Sequence, residues 1–340
     1  MQYTRLGDSG LIVSRIAFGN SLTHGNQIDD DAAKGCVHAA LDAGINLFDT
    51  ADSYADGHAE EVLGKALRDV CREEVVICTK VGRRRGHANA GTLSRKHILE
   101  SAAGSLRRLD VGHIDIYQAH RFDEQTPLTE TMGAFADLVR AGTVLYIGVS
   151  EWTGEQIRSA MSLANELGVP LISNQPQYSM LWRVAESEVM PTCTELGIGL
   201  LTWSPLAGGV LSGKYKPGMQ PPQESRVSAA EGGAKSVGRW NYLDSSVLTA
   251  VSRLKPLADQ AGWTLPQLAL AWVSTNPAVS STITGASRPE QLIENLKVAD
   301  SRLDAGLLAA VDDALADVVQ RDPALTGRAP ASHPGSERRV

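Results

Sequence analysis

Nothing in this chain of 340 residues marks it for a membrane or for export. No stretch approaches the roughly 18 apolar residues of a membrane span. The start, Met1-Gln2-Tyr3-Thr4-Arg5-Leu6, lacks the basic region and apolar run of a signal peptide. Cysteine is scarce: Cys36, Cys71, Cys78 and Cys193 show no paired spacing. Reduced thiols filling a core are the expectation, which fits a cytoplasmic protein. An excess of basic residues is also missing. The net charge is −7, which argues against nucleic acid or an anionic membrane as main partner. Any phosphate site must therefore be a local cluster of cations. Metal-ligand spacing is absent as well. His24, His38, His58, His87, His97, His113 and His333 form no helical HxxxH pair and no Cys/His cluster, so no metal is expected.

What is present is an alternation. Apolar runs at Ile16–Phe18, Leu47–Asp49, Val75–Lys80, Ile114–His120, Val144–Ser150, Leu171–Gln175, Gly199–Ser204 and Ser280–Thr284 make eight candidate strands. Most are apolar throughout, as suits parallel strands buried on both faces. Between them lie amphipathic stretches. Ala33, Cys36, Val37, Ala40 and Leu41 form one helical face, with Asp29 or Asp30 to cap it and Gly44 to end it. Pro127 opens a helix to Arg140, and similar stretches cover 58–69, 95–109, 153–167 and 186–196. Strand and helix repeated to eight strands predict an α/β fold, a (β/α)8 TIM barrel. The alternative, a doubly wound open sheet, usually carries a glycine-rich fingerprint after its first strand. Phe18-Gly19-Asn20-Ser21 is not one.

Residues 2–13 alternate around Gly7-Asp8-Ser9-Gly10 and predict a β-hairpin capping the barrel bottom. A long Gly-, Pro- and Ser-rich loop runs from Lys214 to about Gly238, and loops of that length are usually functional or mobile. The expectation is one domain over 1–320 and a disordered tail over 321–340.

Asp49, Lys80 and His120 close successive apolar runs, and Tyr54 follows in a loop. In parallel neighbours they meet at the C-terminal edge, where such barrels keep their chemistry. Asp49 can keep Lys80 protonated. Lys80 favours the Tyr54 phenolate, which lowers its pKa, and His120 adds a second donor. Together they suit proton donation to a carbonyl oxygen and stabilisation of an alkoxide. The competing reading is a structural ion pair with a loop aromatic and an incidental histidine. For any one residue alone that reading is the stronger. Four at successive strand ends reverse it.

The segment Ile283 to Asn295 reads as strand end, Gly285 turn, Ser287 cap and helix with Pro289 in its first turn. A helix N-terminus with Arg288 suits a phosphate, and Glu294 and Asn295 lie within reach of an attached base. An ordinary capped helix reads equally well. Pro205 and the glycines of Trp203–Gly209 suit close backbone approach to a ligand. Lys214 and Arg226 can neutralise phosphates, or can simply be solvated. Ser150, Asn174 and Gln175 can hold a carboxamide, and Tyr178 can stack on a ring or pack.

These residues resemble the aldo-keto reductase superfamily, and within it the branch of the voltage-gated potassium channel β-subunits and their bacterial relatives. The motifs are Phe48-Asp49-Thr50-Ala51-Asp52-Ser53-Tyr54, Thr79-Lys80, Leu93-Ser94-Arg95-Lys96-His97-Ile98, Asn174-Gln175-Pro176-Gln177-Tyr178, Thr202–Ala207, Ser212-Gly213-Lys214-Tyr215 and Gly285–Asn295. They span about residues 2–315 in the family's order. The resemblance implies an NADPH-dependent reduction of an aldehyde or ketone, with a tetrad of Asp49, Tyr54, Lys80 and His120 and Tyr54 as proton donor. It implies that Ser150, Gln175, Trp203, Ser204, Pro205, Leu206 and Ala207 hold the nicotinamide and ribose end of the cofactor, and that Gly19, Asn20, Asp49 and Gly209 also bind it. Lys214 and Arg226 would meet its phosphates. Gly285, Ser287, Arg288, Gln291, Glu294 and Asn295 would hold its 2′-phosphate and base. Two sequence departures bear on function. Channel β-subunits look similar but carry Asn where this chain has His120, and many relatives carry Trp where this chain has Ser21. Candidate substrate-pocket residues are Ser21, Tyr54, Arg83, Phe122, Trp152 and Trp182. Arg83-Arg84-Arg85 either attract an anionic substrate or form solvated surface, the latter slightly favoured. The expected partner is a small carbonyl compound, with a homo-oligomer left open. The second hypothesis is an NADP(H)-binding, redox-sensing partner subunit with little turnover. A metal-dependent lyase or hydrolase using Asp49 and His120 ranks third.

Overall fold

In the computed structural model the described residues are 1–21, 23–24, 28–83, 86, 88–223, 225, 227 and 241–327. A two-stranded antiparallel hairpin comes first, β1 (Tyr3–Arg5) and β2 (Ile12–Ser14). Eight parallel strands then close into a barrel among the described residues. They are β3 (Ile16–Gly19), β4 (Leu47–Asp49), β5 (Val76–Val81), β6 (Ile114–Ala119), β7 (Val144–Val149), β8 (Leu171–Asn174), β9 (Gly199–Trp203) and β10 (Val279–Thr284). Each pairs with the next, and β10 pairs with both β9 and β3 to complete the ring. The expected barrel is therefore present, with strand boundaries within about one residue of the apolar runs.

The runs are apolar throughout because both faces are covered. Every residue of β5 and β6 is buried. Side chains alternate with a period of two. Leu47, Val76, Cys78, Ile116, Leu201 and Ile283 fill the barrel interior, whereas Phe48 and Ile77 turn outward to the helices. The hairpin adds Leu6 and Val13 to the interior set, both fully buried, so it plugs the barrel as the sequence suggested.

The same alternation places the chemistry. Asp49 follows Leu47 by two, Lys80 follows Cys78 by two, and His120 follows Gln118 by two. Each is the last inward position of its strand or the first beyond it, and each is buried. Asp49 pairs with Cys78 and Lys80 with Gln118, so along the barrel each functional residue stands two positions beyond the partner of the one before it.

The outer layer contains α1 (Asp30–Asp42), α2 (His58–Leu67), α3 (Arg95–Leu109), α4 (Leu128–Arg140), α5 (Gly154–Leu167) and α6 (Val189–Glu195). Asp29 caps α1, and Thr153 with Gln156 forms a capping box on α5. Between the long loop and β10, where the sequence reading placed no element, the chain forms α7 (Ser245–Ser252), α8 (Leu254–Gln260) and α9 (Leu265–Thr275). After β10 come α10 (Pro289–Leu296) and α11 (Ala305–Leu315). No helix among the described residues is long and apolar enough to cross a membrane.

Two expectations change. Arg288, not Ser287, is the N-cap of α10, and no side chain caps it. Proline at the first helical position fixes that boundary, while Ser287 instead meets Gln291 Oε1 through its hydroxyl at 3.3 Å. The segment expected to begin a disordered tail at 321 continues the fold through Gly327. Arg321 pairs with Glu186 at 3.1 Å, Pro323–Leu325 forms a 3-10 turn, and a Cβ on Gly327 would lie 2.8 Å from the Glu151 carbonyl. The rest of the expected tail lies outside the described residues.

Because Leu6 is fully buried in the barrel interior, Leu6→Ala is expected to lower unfolding stability by about 2–5 kcal/mol. Urea unfolding measures it. A loss under about 1 kcal/mol would show that the hairpin lies outside the cooperative core.

Candidate active site

Lys80 is the centre of the site. Its side chain is fully buried, and its Nζ donates to Asp49 Oδ2 at 2.8 Å, to the Thr50 carbonyl at 2.7 Å and to the Tyr54 hydroxyl at 3.3 Å. The other Asp49 oxygen accepts from Gln175 Nε2 at 2.7 Å. Burial works against the ammonium, but the Asp49 carboxylate, with Tyr54 and Cys78, outweighs it and raises the Lys80 pKa. The lysine therefore stays charged, and the charge is balanced in place.

Tyr54 opens a 3-10 turn, Tyr54–Gly57, in which Ala55, Asp56 and Gly57 all have left-handed backbone, with φ of 47°, 54° and 98°. Such torsions are costly for side-chain-bearing residues and persist where surroundings enforce them. The turn leaves the phenol over Lys80, whose Nζ lies 4.9 Å from the ring centre. His120 meets the Tyr54 ring edge-on, with centroids 5.8 Å apart and planes at 80°. Burial raises the Tyr54 pKa, and Lys80 and Arg83 only partly offset it. This corrects the expectation of a lowered value: withdrawal from water outweighs the nearby cation. The phenol is held protonated, as a donor must be. His120 is pushed well below the usual histidine range by burial first, then by Lys80, Arg121 and Arg83. Burial thus favours the neutral imidazole, and its buried Nδ1 has no partner among the described residues.

These groups open into a cleft of about 1120 Å³. One side of it carries Ser21, Asp49, Tyr54, Arg83, His120 and Arg121, and Ser150 and Gln175 continue the wall. The other side follows the last two strands. Trp203 ends β9, and Ser204 to Leu206, Gly209, Ser212 and Lys214 come after it; Gly285, Ser287, Arg288, Gln291, Glu294 and Asn295 come after β10. Ser204 and Gly209 have left-handed backbone, with φ of 62° and 93°. A Cβ on Gly209 would sit 3.2 Å from the Lys214 side chain, and the glycine leaves room for that cation. A Cβ on Gly19 would lie 2.5 Å from Ile283 Cγ2, so only glycine lets β3 and β10 approach this closely at the floor.

Most of the residues expected to hold a cofactor thus line one cavity. Asn20 and Ala207 do not. Asn20 is buried behind the wall, donating to the Ala59 carbonyl at 3.0 Å and meeting His24 Nδ1 at 3.2 Å, and Ala207 is fully buried. Arg226, Arg84 and Arg85 lie outside the described residues. Asn174 reaches Cys193 Sγ at 3.7 Å, outside the barrel, and holds nothing in the cleft. Tyr178 packs against Trp272 and donates to Glu186 at 2.7 Å. Of the substrate candidates, Phe122, Trp152 and Trp182 are not on the wall. Trp152 is fully buried, edge-on to Phe122 at 4.8 Å.

Sequence reasoning missed Arg121, whose Nη1 donates to the His120 carbonyl at 2.7 Å and to Ser150 Oγ at 3.4 Å. Its place one residue past His120 was the available signal. It also missed Glu151, which is buried with φ 59°, accepts from Trp203 Nε1 at 3.0 Å and from the Gln177 amide, and fixes the indole on the cleft wall. Thr264, at the capping box of α9, lines the cleft as well. No group of three metal-ligating side chains is found among the described residues.

The sequence model of the Aldo/keto reductase family matches residues 15–316. A rice protein (Oryza sativa subsp. japonica) is 43% identical over 96% of this chain and 99% of its own length. An Arabidopsis thaliana protein is 44% identical over 95% and 98% respectively. Both bear the name "Probable voltage-gated potassium channel subunit beta". With a closed eight-stranded barrel and a match over most of its length, the chain belongs to the aldo/keto reductase family.

Proposed function

We propose that this protein is an NADPH-dependent reductase of aldehydes or ketones. The observation that carries the reading is the buried Lys80, bound at once to Asp49 and to the Tyr54 hydroxyl, with His120 edge-on to the Tyr54 ring. The residues fit the dinucleotide on three counts. The cavity has the volume for one. Ser204 and Gly209 line the cleft, and the missing side chain at Gly209 leaves room for the Lys214 cation there. At the α10 N-terminus, Arg288 stands where no side chain caps the helix, so its first-turn N–H groups and guanidinium can take a phosphate. Ser150 and Gln175 would hold the carboxamide, with Trp203 beside the ring and Glu294 and Asn295 at the base.

Reduced nicotinamide, when bound, supplies the hydride. A carbonyl compound reduced in this cleft would take its hydroxyl proton from Tyr54, the protonated phenol beside Lys80. Lys80 keeps a positive charge beside the phenol as the proton departs, so the phenolate forms next to its counter-ion. Asp49 and Gln175 hold Lys80 in register. His120 presents a neutral N–H to the carbonyl oxygen and steadies the developing alkoxide without competing for the proton. We place this chemistry in the cytoplasm, a reading supported by four cysteines without disulfides.

A second reading has support in the relatives' names: a subunit that binds NADP(H), turns over little and assembles with a partner protein. Tight cofactor binding with negligible turnover across a broad carbonyl panel, and a partner that co-purifies in fixed ratio, would favour it over the first.

Tyr54→Phe is expected to lower kcat for aldehyde reduction by about 10²–10⁴-fold while NADPH still binds. Steady-state oxidation of NADPH measures it, and retained turnover would remove Tyr54 as the donor. Arg288→Ala should weaken NADPH by roughly 1.5–3 kcal/mol and leave NADH nearly unchanged. Tryptophan fluorescence reads both, because Trp203 lines the cleft. Equal loss for the two nucleotides would place the 2′-phosphate elsewhere.

The histidines set a pH dependence. His120 lies well below the usual range and His24 at about 4, each by burial first. An unfolded histidine takes up its proton near pH 6.5. The contribution of each is therefore whole above about pH 6.5 and is lost as pH falls below it, at about 1.4 kcal/mol per pH unit. His120→Asn should flatten the slope of unfolding free energy between pH 6 and 5 by about that amount. An unchanged slope in urea titrations would rule out a depressed His120.

A further inference from the structure

Behind the Tyr54 turn lies a second buried ion pair, which the chemistry described above does not use. Glu60 stands in the first turn of α2, and its side chain is fully buried. Its Oε2 accepts from Arg108 Nε at 2.7 Å, and Arg108 Nη2 lies 2.7 Å from the same oxygen. Its Oε1 accepts from Thr79 Oγ1 at 2.6 Å. Arg108 comes from the last turn of α3, where its Nη2 also donates to Ser105 Oγ at 3.3 Å.

Two glycines make the slot for this guanidinium. A Cβ on Gly57 would lie 2.8 Å from Arg108 Cδ and Nε, and one on Gly104 would lie 2.9 Å from Nη1. Gly57 ends the turn that Tyr54 opens, and its φ is 98°. Its position is therefore closed to a side chain twice over, by the backbone and by Arg108. Arg108 thus lies against the end of the turn and holds the start of α2 through Glu60. Thr79 carries the same carboxylate to the other partner. It precedes Lys80 on β5, is fully buried and faces outward where Lys80 faces inward. The contact of 3.3 Å between Lys80 Nζ and the Tyr54 hydroxyl is therefore held from behind on both sides by one carboxylate.

Stability does not explain the pair. Withdrawing a carboxylate and a guanidinium from water costs about as much as their attraction returns, and apolar side chains of similar size serve a fold as well. Apolar packing does not supply direction. A carboxylate bound at both oxygens by donors from two other elements has one place to be, and the turn before it follows.

We propose that Glu60 and Arg108 are positioning residues, which fix the Tyr54 hydroxyl against Lys80 and so set the line along which its proton leaves. This rests on the reductase reading above and adds to it two residues outside the cleft wall.

The test uses full-length protein, NADPH and 4-nitrobenzaldehyde. Arg108→Met and Glu60→Gln should each lower kcat about ten- to a hundred-fold, because a small misplacement of a reacting group costs that much. NADPH affinity, read by tryptophan fluorescence, should not change. The double variant Glu60→Met with Arg108→Met removes both charges and leaves neither unpaired. It should recover the wild-type urea midpoint and still keep the low kcat. A pair that served the fold alone would regain activity together with stability. In Tyr54→Phe protein the donor is already gone, so adding Arg108→Met should lower the residual rate no further. Wild-type kcat in Arg108→Met, or in the double variant, overturns this proposal and leaves the reductase reading standing. A loss in the Tyr54→Phe background as large as in the wild type overturns it too. No turnover by the wild type across a panel of aldehydes and ketones, while NADPH binds, brings down both.

Discussion

An ammonium with no access to solvent holds this site together. Lys80 lies at the inward end of β5, and the three oxygens around it belong to β4 and the loop that follows. A lone charge at that depth would be ruinous, and even a paired one costs free energy that hydrophobic residues would not. The arrangement is thus not explained by stability. Its return is positional. Asp49, Thr50, Tyr54 and Lys80 cannot move independently, and Gln175 ties the cluster across the barrel to β8. Electrostatic catalysis depends on dipoles already aligned before charge develops. Here the alignment is built into strand register.

The fold could be read in the sequence because a parallel barrel leaves a strong mark. Strands covered on both faces are apolar from end to end, so runs such as Val76–Val81 and Ile114–Ala119 stand out from the amphipathic helices between them. The meeting of Asp49, Lys80 and His120 was legible for the same reason: polar residues at the ends of such runs have one place to go. Loops carry no comparable periodicity. Asn20 and Ala207 sit beside cleft residues yet turn away, and nothing in a one-dimensional pattern distinguishes Ala207 from Leu206. Glu151 was hidden because its left-handed backbone breaks the alternation that would otherwise send it outward. The acidity of Tyr54 was misjudged because a sequence shows the neighbouring lysine but not the depth of burial, and burial is the larger influence. The capping residue of α10 was displaced by one because Pro289 fixes the helix start more firmly than Ser287 does.

The barrel divides its labour around the ring. Proton-handling groups follow β4 to β6, and the long wall that suits a dinucleotide follows β9 and β10. Changes in one arc need not disturb the other. The hairpin and the inward apolar residues occupy the opposite end, so the residues that stabilise the barrel are not those that meet a ligand. Glu151 is a bridge between arcs: it leaves β7 and anchors an indole that leaves β9.

Closure of the ring joins Ile16 to Thr282 and Phe18 to Thr284. During synthesis, then, every member of the tetrad has left the ribosome long before the strand that completes the barrel is made. Until β10 arrives, β3 presents a bare edge able to pair with any extended chain. Distant parallel pairings also form slowly. Until residues 279–284 are made, Asp49, Tyr54, Lys80 and His120 therefore have no closed barrel to hold them.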